Sequence, residues 1–296
     1  MQPGHALRER CICGTPVAID APVVRRRGAW GLVQFQRCAS CGSWLQSPQA
    51  TREVLAAWYE SDSYSGSEGS AYVDYLSDEP ARRREAKSRA RSLLPLLPPG
   101  RPVLEIGCGT GSRIAALREP GFPVRGIDLS STFVAAARKI HGLDVEVADV
   151  ADVPLPRSHF GAILMFGTIS NLPDLVPTLH KVRAALVPDG VLVANFPDAR
   201  SWPARVYGDA HWMFALSVAQ FLTGTGLQRA LSATGFDLVL QTRDRQRPSL
   251  RKLLRHMRVP VRMIRCLPQE LLALGSLVPV PIPGVRLFIA RPSRAR

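Results

Sequence analysis

Residues Val103-Leu104-Glu105-Ile106-Gly107-Cys108-Gly109-Thr110-Gly111 constrain this chain more than any other segment. They read as a buried strand that ends in a carboxylate and runs into three alternating glycines. Glycine lacks a Cβ, so the backbone can turn sharply there and approach a ligand that a side chain would exclude. Ser112 to Leu117 then opens a helix. A ligand is expected at the carboxyl end of the strand and the amino end of that helix.

The spacing bears on which ligand. A dinucleotide fingerprint has the form G-x-G-x-x-G and seats a pyrophosphate on the helix N-terminus, whereas this chain has G-x-G-x-G with Glu105 two residues ahead. A carboxylate aimed at the turn repels pyrophosphate and attracts an ammonium group. S-adenosylmethionine (SAM) has an amino-acid tail and no phosphate. Nineteen residues beyond Gly109, Val124-Arg125-Gly126-Ile127-Asp128 reads as a second strand with an acid at its tip, placed to accept from ribose hydroxyls. Leu129 follows it. A third strand, Val145 to Ala148, leads to Asp149 and Val150, an acid and an apolar neighbour suited to adenine. Phe160 to Phe166 is a continuous apolar run fit for a central parallel strand, with Phe166 at its ligand end. Leu186 to Val193 is a turn feeding another strand. Taken singly, the glycines would also serve a tight strand-to-helix turn in another doubly wound fold.

Together these segments, over residues 100 to about 242, resemble the class I SAM-dependent methyltransferases. The first motif of that family matches at Glu105, Gly107, Gly109 and Gly111, the second at Asp128, the third at Asp149, and the Leu-x-Pro-x-Gly turn at Leu186 to Gly190. Many relatives carry an acid where this chain has Gly161, and a His before a Leu-x-Asp turn where it reads Ser170-Asn171-Leu172-Pro173-Asp174. The resemblance implies an α/β, Rossmann-like, seven-stranded and mostly parallel sheet with helices on both faces. It further implies a SAM site formed by Glu105, Gly107, Cys108, Gly109, Gly111, Asp128, Leu129, Asp149, Val150 and Phe166. Glu105 would meet the methionine amine or its water. Cys108 reads as a small spacer.

Four cysteines lie ahead of this region: Cys11 and Cys13 before Gly14, and Cys38 and Cys41 before Gly42, with 24 residues between the inner pair. Two close pairs, each followed by glycine, look like the knuckles of a zinc ribbon, whose four thiolates close a structural tetrahedral site. The first pair is C-x-C where a knuckle has C-x-x-C, so the amides that support the sulfurs are expected to be displaced, and reduced free thiols are the alternative. A zinc-ribbon-like module over 1–48 is therefore expected, then a helical lid and linker over 49–98, a SAM-binding core over 99–242, and a basic helical insertion with a last strand over 243–296. The ribbon, an aromatic helix and the SAM domain in that order resemble a methyltransferase branch found with sugar, polysaccharide and natural-product pathways. In it, the segment Trp58 to Tyr64 covers the cofactor cleft, which makes Tyr59 and Tyr64 lid candidates and Ser65 to Ser70 a loop.

The connection 196–235 holds Trp202, Tyr207, Asp209, His211, Trp212 and Phe214, and is the expected acceptor pocket. His211, ahead of a predicted apolar helix over Leu216 to Ala233, is the candidate general base on an acceptor hydroxyl. Its alternative role is to cap a turn and orient the loop. The chain's 46% hydrophobic residues suffice for one α/β core with a small appendage. Its charge of +14 rests almost wholly on arginine, since there are four lysines, and it attracts anionic partners. Ala81 to Arg91 reads as a helix with a solvated basic face. Ser249 caps a predicted amphipathic helix with Leu250, Leu253, Leu254 and Met257 on one side and Arg251, Lys252, Arg255 and Arg258 on the other. Segment 249–265 can lie on an anionic membrane surface or pack on the domain. The amino terminus lacks an apolar signal core, and a cytoplasmic protein is expected.

The resulting expectation is an enzyme that moves a methyl group from SAM to a small hydroxylated acceptor such as a sugar, lipid-linked glycan or natural product. An RNA methyltransferase and a non-catalytic SAM-binding or zinc-ribbon scaffold are the alternatives.

Overall fold

The computed structural model describes the chain apart from residues 1–4, 7, 19–20, 29–30, 62–78, 252–253, 255–258, 260–262, 265, 273–279 and 294–296. It opens with short antiparallel strands: β1 (His5–Ala6), β2 (Val23–Gly28), β3 (Gly31–Arg37), β4 (Trp44–Gln46) and β5 (Gln49–Ala50). β2, β3 and β4 form a meander, while β1 pairs with β5. Helix α1 (Arg52–Glu60) begins at Thr51, whose hydroxyl accepts from the Val54 N–H and so caps it. α2 (Glu79–Leu93) follows and leads to β6 (Val103–Ile106).

From β6 helices alternate with strands as parallel pairing requires, except that β8 passes to β9 through a loop. The order is α3 (Ser112–Arg118), β7 (Val124–Asp128), α4 (Ser131–His141), β8 (Val145–Val147), β9 (Phe160–Phe166), α5 (Leu175–Ala185) and β10 (Leu186–Pro197). After β10 come α6 (Trp202–Tyr207), β11 (Gln220–Phe221), α7 (Gly224–Ala233), β12 (Phe236–Gln246), α8 (Gln269–Leu272) and β13 (Val280–Pro292). The seven-stranded sheet has the order β12-β13-β10-β9-β6-β7-β8. Its pairs from β10 through β8 are parallel, and β13 runs antiparallel to both neighbours. The order reverses between β6 and β9, which opens a crevice at their carboxyl ends. Glu105 sits there, opposite Gly126 on β7 and Leu164 on β9.

Every residue of β9 is buried, because helices cover both faces. Ile163 and Met165 pack toward α5 and α7 through Leu179, Val182, Leu227 and Leu231. Ala162, Leu164 and Phe166 face α2 and α3 through Ala86, Ala90, Leu93 and Leu117. From Ala162 to Phe166, period-two alternation thus sends successive residues to opposite helical layers.

Several expected boundaries move. The helix predicted over 216–233 starts only at Gly224, where Thr223 caps it, because Gln220 and Phe221 pair with Leu45 and Trp44 as the fourth strand of the cysteine module. β12 runs past the expected core boundary at 242 because β13 pairs with it as far as Gln246. On α2, Arg89 is not part of a solvated face: it is 9% exposed and pairs with the wholly buried Asp244 at 2.7 Å. Arg251, assigned to the charged side of the basic helix, is buried, as is Ile264. Tyr64, the loop 65–70, and Lys252, Leu253, Arg255, Met257 and Arg258 lie outside the described residues. Among the described residues no helix is long and apolar enough to cross a membrane.

Candidate functional site

The turn after β6 is held by backbone geometry. Gly107, Gly109 and Gly111 all have positive φ, at 72°, 55° and 73°. A Cβ on Gly107 would lie 2.2 Å from Thr168 Oγ1, and one on Gly111 would lie 2.4 Å from a Leu143 methyl. No side chain fits at either position. Asp128, at the tip of β7, joins the turn to the next strand: its Oδ2 accepts from the Gly109 N–H at 2.8 Å and its Oδ1 from the Ser130 N–H at 3.0 Å. Burial raises the Asp128 pKa, and the backbone donors oppose that rise. Cys108 is buried between these acids. Burial first, and the charges of Asp128 and Glu105 after it, push its thiol pKa up, so it stays protonated and is no nucleophile.

Glu105 is wholly buried. Burial lifts its pKa to about 7 against the pull of Arg113, whose Nη1 donates to Oε1. The second oxygen, Oε2, is buried with no hydrogen-bond partner among the described residues. Arg113 is the second residue of α3, and its guanidinium lies 4.3 Å from the Phe166 ring centroid. Phe166, placed at the site by the apolar run of β9, therefore floors the same corner.

Asp149 and Val150 line a depression together with Arg52, Ala151, Leu172, Pro173, Asp174 and Thr178. Asp149 accepts from the Ala151 N–H, and the Val150 carbonyl accepts from Lys181 Nζ at 2.7 Å. Arg52 reaches it from α1 and pairs with Asp152 and Asp174. At the other end of α1, Glu60 accepts from both the N–H and the hydroxyl of Ser131, the residue that opens α4. Tyr59 is buried with Leu55 against Phe133, and Leu129 packs on the same cluster. Helix α1 is thereby fixed across the β7 and β8 ends of the crevice.

Other anchoring residues have no sequence signature. Glu79, at the start of α2, is buried and accepts from the hydroxyls of Thr110 and Ser112 at 2.8 and 2.7 Å, and it pairs with His141 Nε2 at 2.9 Å. It ties the glycine turn to α2 and α4. Beyond Phe166, the Gly167 N–H donates to Asn195 Oδ1, Asn195 Nδ2 donates to Asp244, and Asp244 pairs with Arg89. Each is a long-range pairing of ordinary polar residues.

His211 lies away from the glycine turn, against the cysteine module. It is 3% exposed, and its ring stacks on Phe221 at 4.8 Å and on Trp212 at 5.6 Å. Its Nδ1 accepts from the Met213 N–H, and its carbonyl accepts from Arg26 of β2.

The four cysteines converge. The sulfurs of Cys11, Cys13, Cys38 and Cys41 all lie within 4.8 Å of one another, with Cys11–Cys41 at 3.5 Å and Cys13–Cys38 at 3.8 Å. A tetrahedron of zinc–sulfur bonds of about 2.3 Å has edges of about 3.8 Å, so the set fits zinc. The short first knuckle still directs the Cys13 amide at the Cys11 sulfur, and the second directs the amides of Ser40 and Cys41 at Cys38. Hydrogen bonds from the Cys11 thiol and from Ser43 hold the Cys41 pKa down. Thr223, the cap of α7, donates to the Cys41 carbonyl at 2.8 Å, and a Cβ on Gly226 would lie 3.1 Å from the Cys41 sulfur. Zinc held by four thiolates would have no open position, which is the coordination of a structural site rather than a catalytic one.

A sheet of this order, with an acid–glycine turn at its reversal and acids at the next two strand tips, defines the SAM-dependent methyltransferase fold. The methyltransferase domain family model matches residues 79–241, more than half of the chain, and the chain belongs to that family. It is 34% identical to a trans-aconitate 2-methyltransferase of Sinorhizobium fredii over 139 residues, 45% of this chain and 52% of the relative. It is 30% identical to a ubiquinone biosynthesis O-methyltransferase of Rhodopseudomonas palustris over 127 residues, 41% and 48% of the two chains. The chain spans about half the length of these curated relatives. Among solved structures, a putative methyltransferase in complex with the Haloferax volcanii Trm112 methyltransferase activator matches with TM-score 0.53 at 16% identity, over 81% of this chain and 98% of that one. A putative methyltransferase of Bacillus halodurans matches at TM-score 0.52 and 17% identity, over 70% and 100%. These two likenesses concern the fold alone.

SAM is the cofactor of this family, and the residues fit it. The orphaned Glu105 Oε2 asks for a donor such as an ammonium. The Asp149 depression adds apolar Val150, Leu172 and Pro173 beside its polar lining.

Proposed function

We propose that this chain transfers the methyl group of SAM to an oxygen of a small hydroxylated acceptor, of the sugar, lipid-linked glycan or natural-product kind. The observation that carries the cofactor part is the wholly buried Glu105, with one oxygen unpartnered, beside a turn that excludes side chains. In this reading Glu105 holds the amino end, Asp128 the ribose, and Asp149 with Val150 the adenine. Bound SAM supplies an electrophilic methyl on a sulfonium. The protein's part is to hold the acceptor oxygen in line with it and to keep water out, and that alignment supplies much of the rate. An oxygen acceptor accords with the name of the ubiquinone biosynthesis relative, an O-methyltransferase.

The acceptor side falls to the 196–235 connection. A base acting through His211 would have to use Nε2. The Met213 N–H on Nδ1 places the proton of the neutral ring on Nε2 instead. That contact, with the stacking on Phe221, favours His211 as the residue that orients the loop against the cysteine module. His211→Asn then lowers activity without moving the pH profile, whereas a base would take the acidic limb of the profile with it.

Labelled methyl from SAM, offered to an extract of the source cells, tests the whole reading. Label in organic-soluble or glycan fractions supports it. Label released by RNase, or no transfer to any fraction, overturns the acceptor class.

A further inference from the structure

We infer that Arg113 is the residue that selects the amino-acid end of the cofactor, receiving its carboxylate while Glu105 receives its ammonium. The inference rests on the SAM reading above and deepens it, because the glycine motif by itself names no partner for a carboxylate.

Glu105 is enclosed, and Arg113 is its ion-pair partner, yet Oε2 has no donor among the described residues. A buried carboxylate oxygen without a donor is unfavourable. The pair as built is thus one positive donor short, which an ammonium supplies. The guanidinium is the matching half. Two arginines lie against Phe166, at 5.1 Å for Arg89 and 4.3 Å for Arg113. Arg89 is committed: its side chain is 9% exposed, and it serves Glu85, Asp244 and the Arg245 carbonyl. Arg113 is 27% exposed, and its one ion pair among the described residues, with Glu105, uses Nη1 alone. A guanidinium has five N–H donors in a planar fork that matches a carboxylate. Phe166 holds that plane by its face.

Position completes the argument. Arg113 is the second residue of α3, two after Gly111, so its stem rises from the helix that the turn opens. An α-amino acid zwitterion brings one positive and one negative group a few bonds apart. Against an Arg–Glu pair it satisfies both without adding net charge, which limits the penalty of desolvation. Neither an uncharged tail nor a phosphate offers that complement.

The rival role is that Arg113 only neutralises Glu105 and contacts no ligand. S-adenosylhomocysteine, which carries the zwitterionic tail, and 5′-methylthioadenosine, which lacks it, separate the two when titrated calorimetrically into the wild-type chain, Arg113→Gln and Arg113→Lys. The expected result is a loss of about 10- to 100-fold in S-adenosylhomocysteine affinity for Arg113→Gln. Arg113→Lys should recover part of it, and methylthioadenosine should change by less than about 3-fold. Methylthioadenosine binding also reports that each variant is folded. An equal loss for both ligands, or unchanged binding of S-adenosylhomocysteine, overturns the assignment. Failure of the wild-type chain to bind either ligand would instead remove the SAM reading on which the assignment stands.

Discussion

The glycine turn and the cysteine cluster are built on opposite plans. At the turn the main chain does the positioning: three glycines with positive φ, and amides of Gly109 and Ser130 that fix Asp128. At the cluster four side chains from two separate loops are brought within 4.8 Å, and the surroundings of α7 are arranged to receive them. A site made by the backbone is damaged by adding atoms. A site made by side chains is damaged by removing them or the ion they address.

That contrast is sharpest at the cluster, where the largest effect is expected. Zinc analysis by native mass spectrometry should find one ion per chain, and Cys38→Ser or strong chelation should abolish it. Structural zinc in small modules is worth about 10 kcal/mol or more, so the β2–β4 meander and its union with β11 should unfold, as read by circular dichroism. A metal-free chain with an unchanged melting curve would show that the thiols suffice alone.

At the turn, Gly107→Ala adds one methyl 2.2 Å from Thr168 Oγ1 at a φ of 72°. A loss of about 2–4 kcal/mol in denaturant unfolding is expected, from the clash and the backbone conformation together. Adding Thr168→Ala should relieve most of the clash and leave the conformational part. No recovery in the double variant would place the strain elsewhere.

Acidity gives a smaller and reversible effect. Glu105 has its pKa raised to about 7 by burial, from an ordinary value of 4.5. A raised carboxyl is protonated in the folded chain, so its contribution to stability is complete below 4.5 and is lost as pH rises through 7. An ammonium ligand needs the ionised form. Affinity for S-adenosylhomocysteine should therefore climb as pH rises toward 7, by up to about tenfold per unit below it, and level off above. Glu105→Gln should flatten the slope. The smallest effect is at Arg52, whose pairs with Asp152 and Asp174 are solvent-exposed. Arg52→Ala should change stability by less than about 1 kcal/mol, and a larger loss would make α1 more than an ionic clasp.

The same contrast governs what the chain discloses in one dimension. The proposed cofactor residues follow successive strands of the parallel sheet, so spacing places Glu105, the three glycines, Asp128 and Asp149 at the ends of β6, β7 and β8. The four cysteines are likewise marked by their pairing. Arg113, Glu79 and the Asn195–Asp244–Arg89 chain are not, because each acts through a contact with no fixed spacing and uses a residue type that is common on surfaces. Gln220 and Phe221 were hidden differently: an apolar stretch next to a helix reads as helix until the edge of β4 claims it. Arginines on α2 and near Ser249 read as solvated by composition, and the buried Asp244 shows why Arg89 is not.

In the proposed function Asp128 and the glycine turn hold SAM. Calorimetric titration of SAM into the wild-type chain and Asp128→Ala tests it most directly. Saturable one-to-one binding that weakens by about 2–3 kcal/mol in the variant, the worth of a charged hydrogen-bond partner, is the predicted result. Binding of equal strength in both chains, or none in the wild type, would contradict it.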